Sequence, residues 1–194
     1  MKLITDITEV RLAAGVSDRQ DISDNEIQLI IEKAQTNAIN TCLLKHVRED
    51  ISETEGNKID GEQTIFSLKY APVNDFADCY GVYYYNDNYY YCKVEIVDKY
   101  EGKVKITKDG TNPIPVETKI YVTYYSEPKN YDENLFAEAI IYLSAYMIES
   151  RLKGQEKITI ADLEKNKMMI DKGSNFLKLY NECISKIKSS VRGT

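Results

Sequence analysis

Residues 81–107 read GVYYYNDNYYYCKVEIVDKYEGKVKIT. Three runs of β-branched and aromatic residues are cut by NDN at 86–88 and by Glu101-Gly102, the composition of strands joined by turns. The middle run alternates: Val94, Ile96 and Asp98 point one way, while Lys93, Glu95 and Val97 point the other. Working outward, TIFSLKY at 64–70 stops at Ala71-Pro72, and KIYVTYY at 119–125 follows the Pro113/Pro115 pair. The pattern predicts an antiparallel sheet of about four or five strands with hairpin connections over residues 62–127.

Both flanks have helical period. Asp6 and Glu9 can cap a short helix over 6–14 that Gly15 stops. In DISDNEIQLIIEKAQTNAINTCL (21–43), Ser23 and Glu26 form a capping box and Ile22 with Ile27 occupies the staple positions. Ile27, Ile30, Ile31, Ala34 and Ala38 make one apolar stripe, with Glu32 and Lys33 outside it. Residues 49–61, EDISETEGNKIDG, read as a polar, acidic connection. After Pro128, Asn130 and Glu133 offer a capping box for a helix from Tyr131 to about Lys153, with Gly154 at its end. Its middle, AEAIIYLSAYMI, is apolar on more than one face, which calls for cover from its own domain or from a neighbouring subunit. Thr159 and Asp162 open a last helix towards Ser190. Leu163, Ile170, Leu177, Ile184 and Val191 fall at seven-residue steps, with Asn166, Gly173, Tyr180 and Ile187 as a companion row. That stripe fits either a core-facing surface or a seam against another helix. The chain therefore reads as α+β: a four-helix core from residues 1–48 and 128–194, two helices from each end, carrying the β-domain as an insertion.

The totals bound the function. The 194 residues carry a net charge of −6, four cysteines, one histidine and no tryptophan. Acids outnumber bases, against a general phosphate-binding face. The longest apolar stretch is too short and too polar at its edges to cross a bilayer, and MKLITDITEV has acids where a signal peptide keeps an apolar core. Cys42, Cys79, Cys92 and Cys183 show no paired spacing and read as small buried hydrophobes of a reducing compartment. The single His46 removes most imidazole-based metal and acid–base sites. Asp75 and Asp78, or Asp21 and Asp24, could make acidic pairs, but turn and helix-start roles account for them. Phosphate loops, nucleophile elbows and calcium loops are missing, so catalytic residues, metal ligands and cofactors are all expected to be none.

The opening EVRLAAGVSDRQDISDNEIQLIIEKAQTNAI, the Tyr/Val-rich β insertion with its closing VTYYSEP strand, and the apolar AEAIIYLSAYMIESRL helix resemble the head–tail adaptor (connector) proteins of long-tailed bacteriophages and related archaeal tailed viruses. In that family the opening reads like T-x-x-E-V-R-x-x-x-G and then I-S-D-x-x-I-x-x-x-I-x-x-A; Thr5 or Thr8, Glu9, Val10, Arg11 and Gly15 match the first phrase. Ile22, Ser23, Asp24, Ile27, Ile31 and Ala34 match the second. The resemblance covers most of the chain and implies a virion protein of the head–tail neck, made in the host cytoplasm and without enzymatic activity. Such adaptors form a ring of about twelve subunits on the portal protein, closed by head-to-tail contacts. They extend the DNA channel, let DNA pass without specific binding, and meet a stopper or tail-completion protein.

Two surfaces are candidates for those contacts. Lys186, Lys188, Val191 and Arg192 make a basic C-terminal end suited to an acidic portal surface; a frayed, solvated terminus is the plain alternative. Tyr83, Tyr84, Tyr85, Tyr89, Tyr90 and Tyr91 put rings on both faces of a hairpin. A stacking platform would keep them on one face with cations beside them, and the nearest bases in sequence are Lys69 and Lys93. The hairpin reads as an interface with a neighbouring subunit or neck protein. The rival reading is a non-enzymatic module that binds single-stranded nucleic acid or glycan through the tyrosine sheet; a hydrolase built on Asp75 and Asp78 is weaker.

Overall fold

The computed structural model describes residues 2–20, 22–116, 118–129, 131–155 and 163–188. The backbone divides into two compact units, Met1–Lys2 with Leu43–Glu127 and Leu3–Cys42 with Pro128–Thr194.

The helical unit begins with α1, Ile7–Ala14, capped by Asp6 in a reciprocal box with Glu9 and ended by Gly15 at φ 69°, a left-handed position that suits glycine. Helix α2 spans Asp24–Cys42 and buries Ile27, Ile31, Ala34, Gln35, Ala38, Ile39 and Cys42. Ile22 and Ile27 are both buried ahead of this face, and Ser23 and Glu26 bond reciprocally. Arg11 fastens the turn between the helices. Its guanidinium donates to the carbonyls of Val16, Arg19 and Ile22 at 3.3, 3.2 and 2.8 Å and to the Asp24 carboxylate at 2.7 Å.

Helix α3, Glu133–Gln155, is capped by Asp132, whose carboxylate accepts from the Asn134 and Leu135 amides. The expected cap, Asn130, lies outside the described residues, and Gly154 sits inside the helix. Phe136, Ala139, Ile140, Leu143, Ala145 and Ile148 are buried because α1, α2 and α4 all pack on α3. Its many-sided apolarity is thus answered within its own unit, at about 1.5–3 kcal/mol per large side chain buried. Helix α4, Leu163–Lys188, turns Tyr180, Cys183, Ile184 and Ile187 into the same unit. From Tyr180 onward the seven-residue pattern is core packing. Its opening at Thr159 and Asp162 and its last step at Val191 lie outside the described residues.

The second unit corrects the expected fold. A six-stranded antiparallel sheet, curled as a half-barrel, outweighs the insertion of about four or five strands foreseen from the sequence. The strands are β1 (Leu44–Asp50), β2 (Ile65–Ser67), β3 (Tyr80–Tyr85), β4 (Asn88–Asp98), β5 (Lys103–Thr107) and β6 (Lys119–Ser126). Their spatial order is β1-β6-β3-β4-β5-β2. The sixth strand is β1, which takes residues read as helical core and polar connection. Its partner β6 lies some 75 residues away, so tertiary pairing and not local propensity decides its state. Only β3–β4 and β4–β5 are sequence-adjacent hairpins; β2 pairs with β5 at the far edge. The rest of the supposed connection 49–61 places Ile51 in the core of the sheet and packs Ile59 against it.

One face of the sheet is this core: Tyr83, Ile120, Val122 and Tyr124 join Val104, Ile106 and Phe66. Alternation sends their neighbours to the other face.

Candidate functional site

The outer face of the sheet gathers tyrosines from three strands. On β6, Tyr121 and Tyr125 alternate with the buried Ile120, Val122 and Tyr124. On β3, Tyr80, Val82 and Tyr84 alternate with Gly81 and Tyr83. The register sets Val82 between Tyr121 and Tyr91, and Tyr84 between Lys119 and Tyr89. Ring centroids lie 5.0 Å apart for Tyr84–Tyr89 and 6.3 Å for Tyr89–Tyr121, both tilted, an arrangement that aromatic quadrupoles favour. Tyr91 is the most exposed, at 83%, and Tyr89 reaches 61%.

The six tyrosines singled out in the sequence therefore separate. Tyr84, Tyr89 and Tyr91 meet on the outer face. Tyr83 is 3% exposed on the core side and stacks on Tyr90 at 5.3 Å. Tyr85 and Tyr90 share that side nearer the hairpin tip, where both are exposed. The tip itself places Asn86 and Asp87 at φ 47° and 61°, the geometry of a two-residue primed turn, and Tyr84 Oη donates to Asp87 at 2.9 Å.

Cations also converge on this face, which the sequence did not disclose. The register of β1 shifts between His46 and Glu49, a bulge that leaves Arg48 at φ 51°. A left-handed arginine costs about 1 kcal/mol, and bulges of this kind re-aim a side chain. The Arg48 amide donates to Thr123 Oγ1 at 3.1 Å, and its guanidinium lies 6.0 Å from the Tyr89 ring centroid, two strands beyond its own partner. Lys45 stands 5.5 Å from the Tyr125 ring. Lys119 and Lys93 are exposed beside them, near Asp50 at 4.0 Å and Glu95 at 2.7 Å respectively.

The one histidine sits at the inner edge of the same strand. His46 stacks between Tyr70 and Tyr124, with centroids 4.4 and 4.7 Å away, and shares a 2.8 Å hydrogen bond with Ser126 through Nε2. Tyr124 Oη donates to Glu49 at 2.7 Å and accepts from the Tyr70 amide; Glu49 also accepts from the Lys69 amide. Burial holds the His46 pKa below its usual 6.5, partly opposed by Glu49. This cluster pins the 69–70 loop to the sheet. Ser126 is 3% exposed, so the pair offers no accessible nucleophile.

The other candidates are dispersed. Asp75 faces Lys99 at 3.7 Å, whereas Asp78 is exposed. Asp24 is engaged by Arg11, and Asp21 lies outside the described residues. Lys186 and Lys188 are exposed in the last turn of α4, where cations suit the helix dipole; Val191 and Arg192 lie outside the described residues. Burial raises the thiols of Cys42 and Cys92 to about 11 and that of Cys79 to about 12. Among the described residues, no group of three metal-ligating side chains converges and no helix is long and apolar enough to cross a membrane. Comparison of the chain with protein-family models and with curated proteins finds no match.

Proposed function

We propose that the protein is a structural, non-enzymatic component that works by binding other protein chains: a head–tail adaptor that assembles as a ring on the portal vertex of a tailed virus. It extends the DNA channel and meets the next neck or tail protein. The observation that carries this reading is where the uncovered apolar surface lies. Of fourteen exposed large apolar side chains among the described residues, only Leu12 and Leu29 belong to the helical unit; the other twelve are in the β unit. Among them Tyr89 and Tyr91 stand with Val82, Tyr84 and Tyr121 on the outer face; an exposed apolar patch marks an interaction surface, and tyrosine suits protein interfaces because it offers wide area and a hydroxyl at low entropy cost. The resembling residues of the opening phrases support a rigid module: Val10, Ile22, Ile27, Ile31 and Ala34 are buried, and Glu9, Arg11, Ser23 and Asp24 hold caps and turn. A net charge of −6 suits a channel wall that must not hold DNA. The test is negative-stain electron microscopy of portal particles mixed with the protein. A new ring of density at the vertex supports the reading, and bare portals at saturating protein overturn it.

A second reading draws on the same face. Arg48 against Tyr89 and Lys45 against Tyr125 put cations beside aromatics on one side of a sheet, the requirement for stacking single-stranded nucleic acid or a glycan. Oligonucleotide binding that weakens steeply with salt would favour it.

A further inference from the structure

We infer that the β unit binds a second copy of itself head to tail, the outer tyrosine face of one copy receiving the acidic segment 53–62 of the next. The inference rests on the ring reading and names its contact. Segment 53–62 lies over the core side of the sheet, because Ile51 and Ile59 pack on the core cluster and Asn57 bonds to the backbone of Ile51 and Ser67. The tyrosine face is on the opposite side. One unit thus carries two different surfaces, turned away from each other.

Their charges are complementary. On the segment, Glu53, Glu55, Asp60 and Glu62 are exposed and only Lys58 opposes them. On the outer face, Arg48 and Lys45 lie over tyrosine rings, and among the described residues no carboxylate pairs with either. Glu95 and Asp50 are already matched by Lys93 and Lys119. A guanidinium held over a ring face at this distance keeps its donors available for carboxylates in a fixed fork. Nucleic acid would also satisfy Arg48, but a chain of net charge −6 repels a polyanion as a whole, whereas the segment of a second copy brings its carboxylates together on one short exposed stretch. Opposed, unlike surfaces on one body add copies in a constant direction, which closes into a ring or runs on as a filament.

The experiment is sedimentation velocity of the full chain over a concentration series, with Arg48→Glu and the double variant Glu53→Lys/Glu55→Lys. Each variant alone is expected to associate at least about tenfold more weakly than the parent. Mixed in equal amounts they are expected to recover, because the reversed face of one then meets the reversed segment of the other. Tyr91→Ser, a change at an 83% exposed position, should weaken association with an unshifted melting curve and so separates contact from folding. Variants that associate like the parent, or a mixture that fails to recover, overturn the inference while leaving the ring reading intact if the parent assembles. A parent that stays monomeric throughout overturns the inference, and portal microscopy then decides the adaptor reading separately. Tight binding of a labelled oligothymidine that Arg48→Glu abolishes also overturns it, assigning the face to nucleic acid.

Discussion

Replacing Arg11 separates two ways in which one side chain could hold the α1–α2 turn. Its guanidinium makes three hydrogen bonds to the carbonyls of Val16, Arg19 and Ile22 and two to the Asp24 carboxylate. Hydrogen bonds from a charged donor contribute about 1.5–3 kcal/mol each when buried. These carbonyls are only partly buried and can recover some water, so about 1 kcal/mol each is the appropriate scale, or about 3 kcal/mol for Arg11→Ala. Arg11→Lys keeps the charge and about one of the three bonds, for a loss of about 2 kcal/mol. The ion pair is a different matter. The Asp24 side chain is 70% exposed, so solvent screening leaves Asp24→Asn costing less than about 1 kcal/mol. Urea unfolding followed by helical circular dichroism measures all three. An Arg11→Lys protein within about 0.5 kcal/mol of the parent, or Asp24→Asn as costly as Arg11→Ala, would refute the claim that the carbonyls are what the arginine is there to hold.

Other outcomes follow from the same structure. Tyr124→Phe removes the hydroxyl that donates to Glu49 and accepts from the Tyr70 amide, and should cost about 2 kcal/mol in denaturant unfolding. Because the folded His46 pKa is lowered by burial, the unfolded chain binds more protons there, so stability should fall as pH drops below about 6.5. His46→Gln should remove that part of the slope between pH 7 and 5.5, and an unchanged slope would contradict the assignment. The native thiols should react slowly with a disulfide reagent at pH 8, since burial lifts Cys42, Cys79 and Cys92 to about 11 or 12; denaturant should release all four. Ile31→Ala, at a fully buried site on α2, should cost about 2–5 kcal/mol and lower the melting temperature of the helical unit.

What could be read in advance depended on how far apart the deciding residues lie in the chain. Helix α2 was legible because its cap, staple and stripe are all local: Ile22, Ser23, Glu26, Ile27 and Ile31 declare themselves within ten residues. The pleat of the tyrosine run was legible too, since alternation alone sets Tyr83 against Tyr84. Which side becomes core was not, because that depends on β6 pairing Tyr83 with Ile120. Strand β1 was hidden for the same reason: LKHVRED lacks an apolar alternation and becomes a strand only when β6 arrives. Hence Arg48, placed over Tyr89 by a bulge in that strand, could not be seen as part of the site. Of the two grounds against a stacking face, the rings do lie on both faces, Tyr83 and Tyr90 opposite Tyr84 and Tyr89, but the distance in sequence to the nearest cations fails in space, where Arg48 and Lys45 reach Tyr89 and Tyr125. For helix α3, apolarity on several faces called for cover from its own domain or from a neighbouring subunit, and the packing of α1, α2 and α4 supplies it from its own unit.

Hydroxyl-radical footprinting of the tyrosines, in the free chain and in the assembly on portal, tests the central claim most directly. Tyr89 and Tyr91 should oxidise readily in the free chain and be protected about tenfold or more once assembled, while buried Tyr83 and Tyr124 stay slow in both states. Equal oxidation of Tyr89 and Tyr91 in the two states would mean that the outer sheet face meets no protein chain.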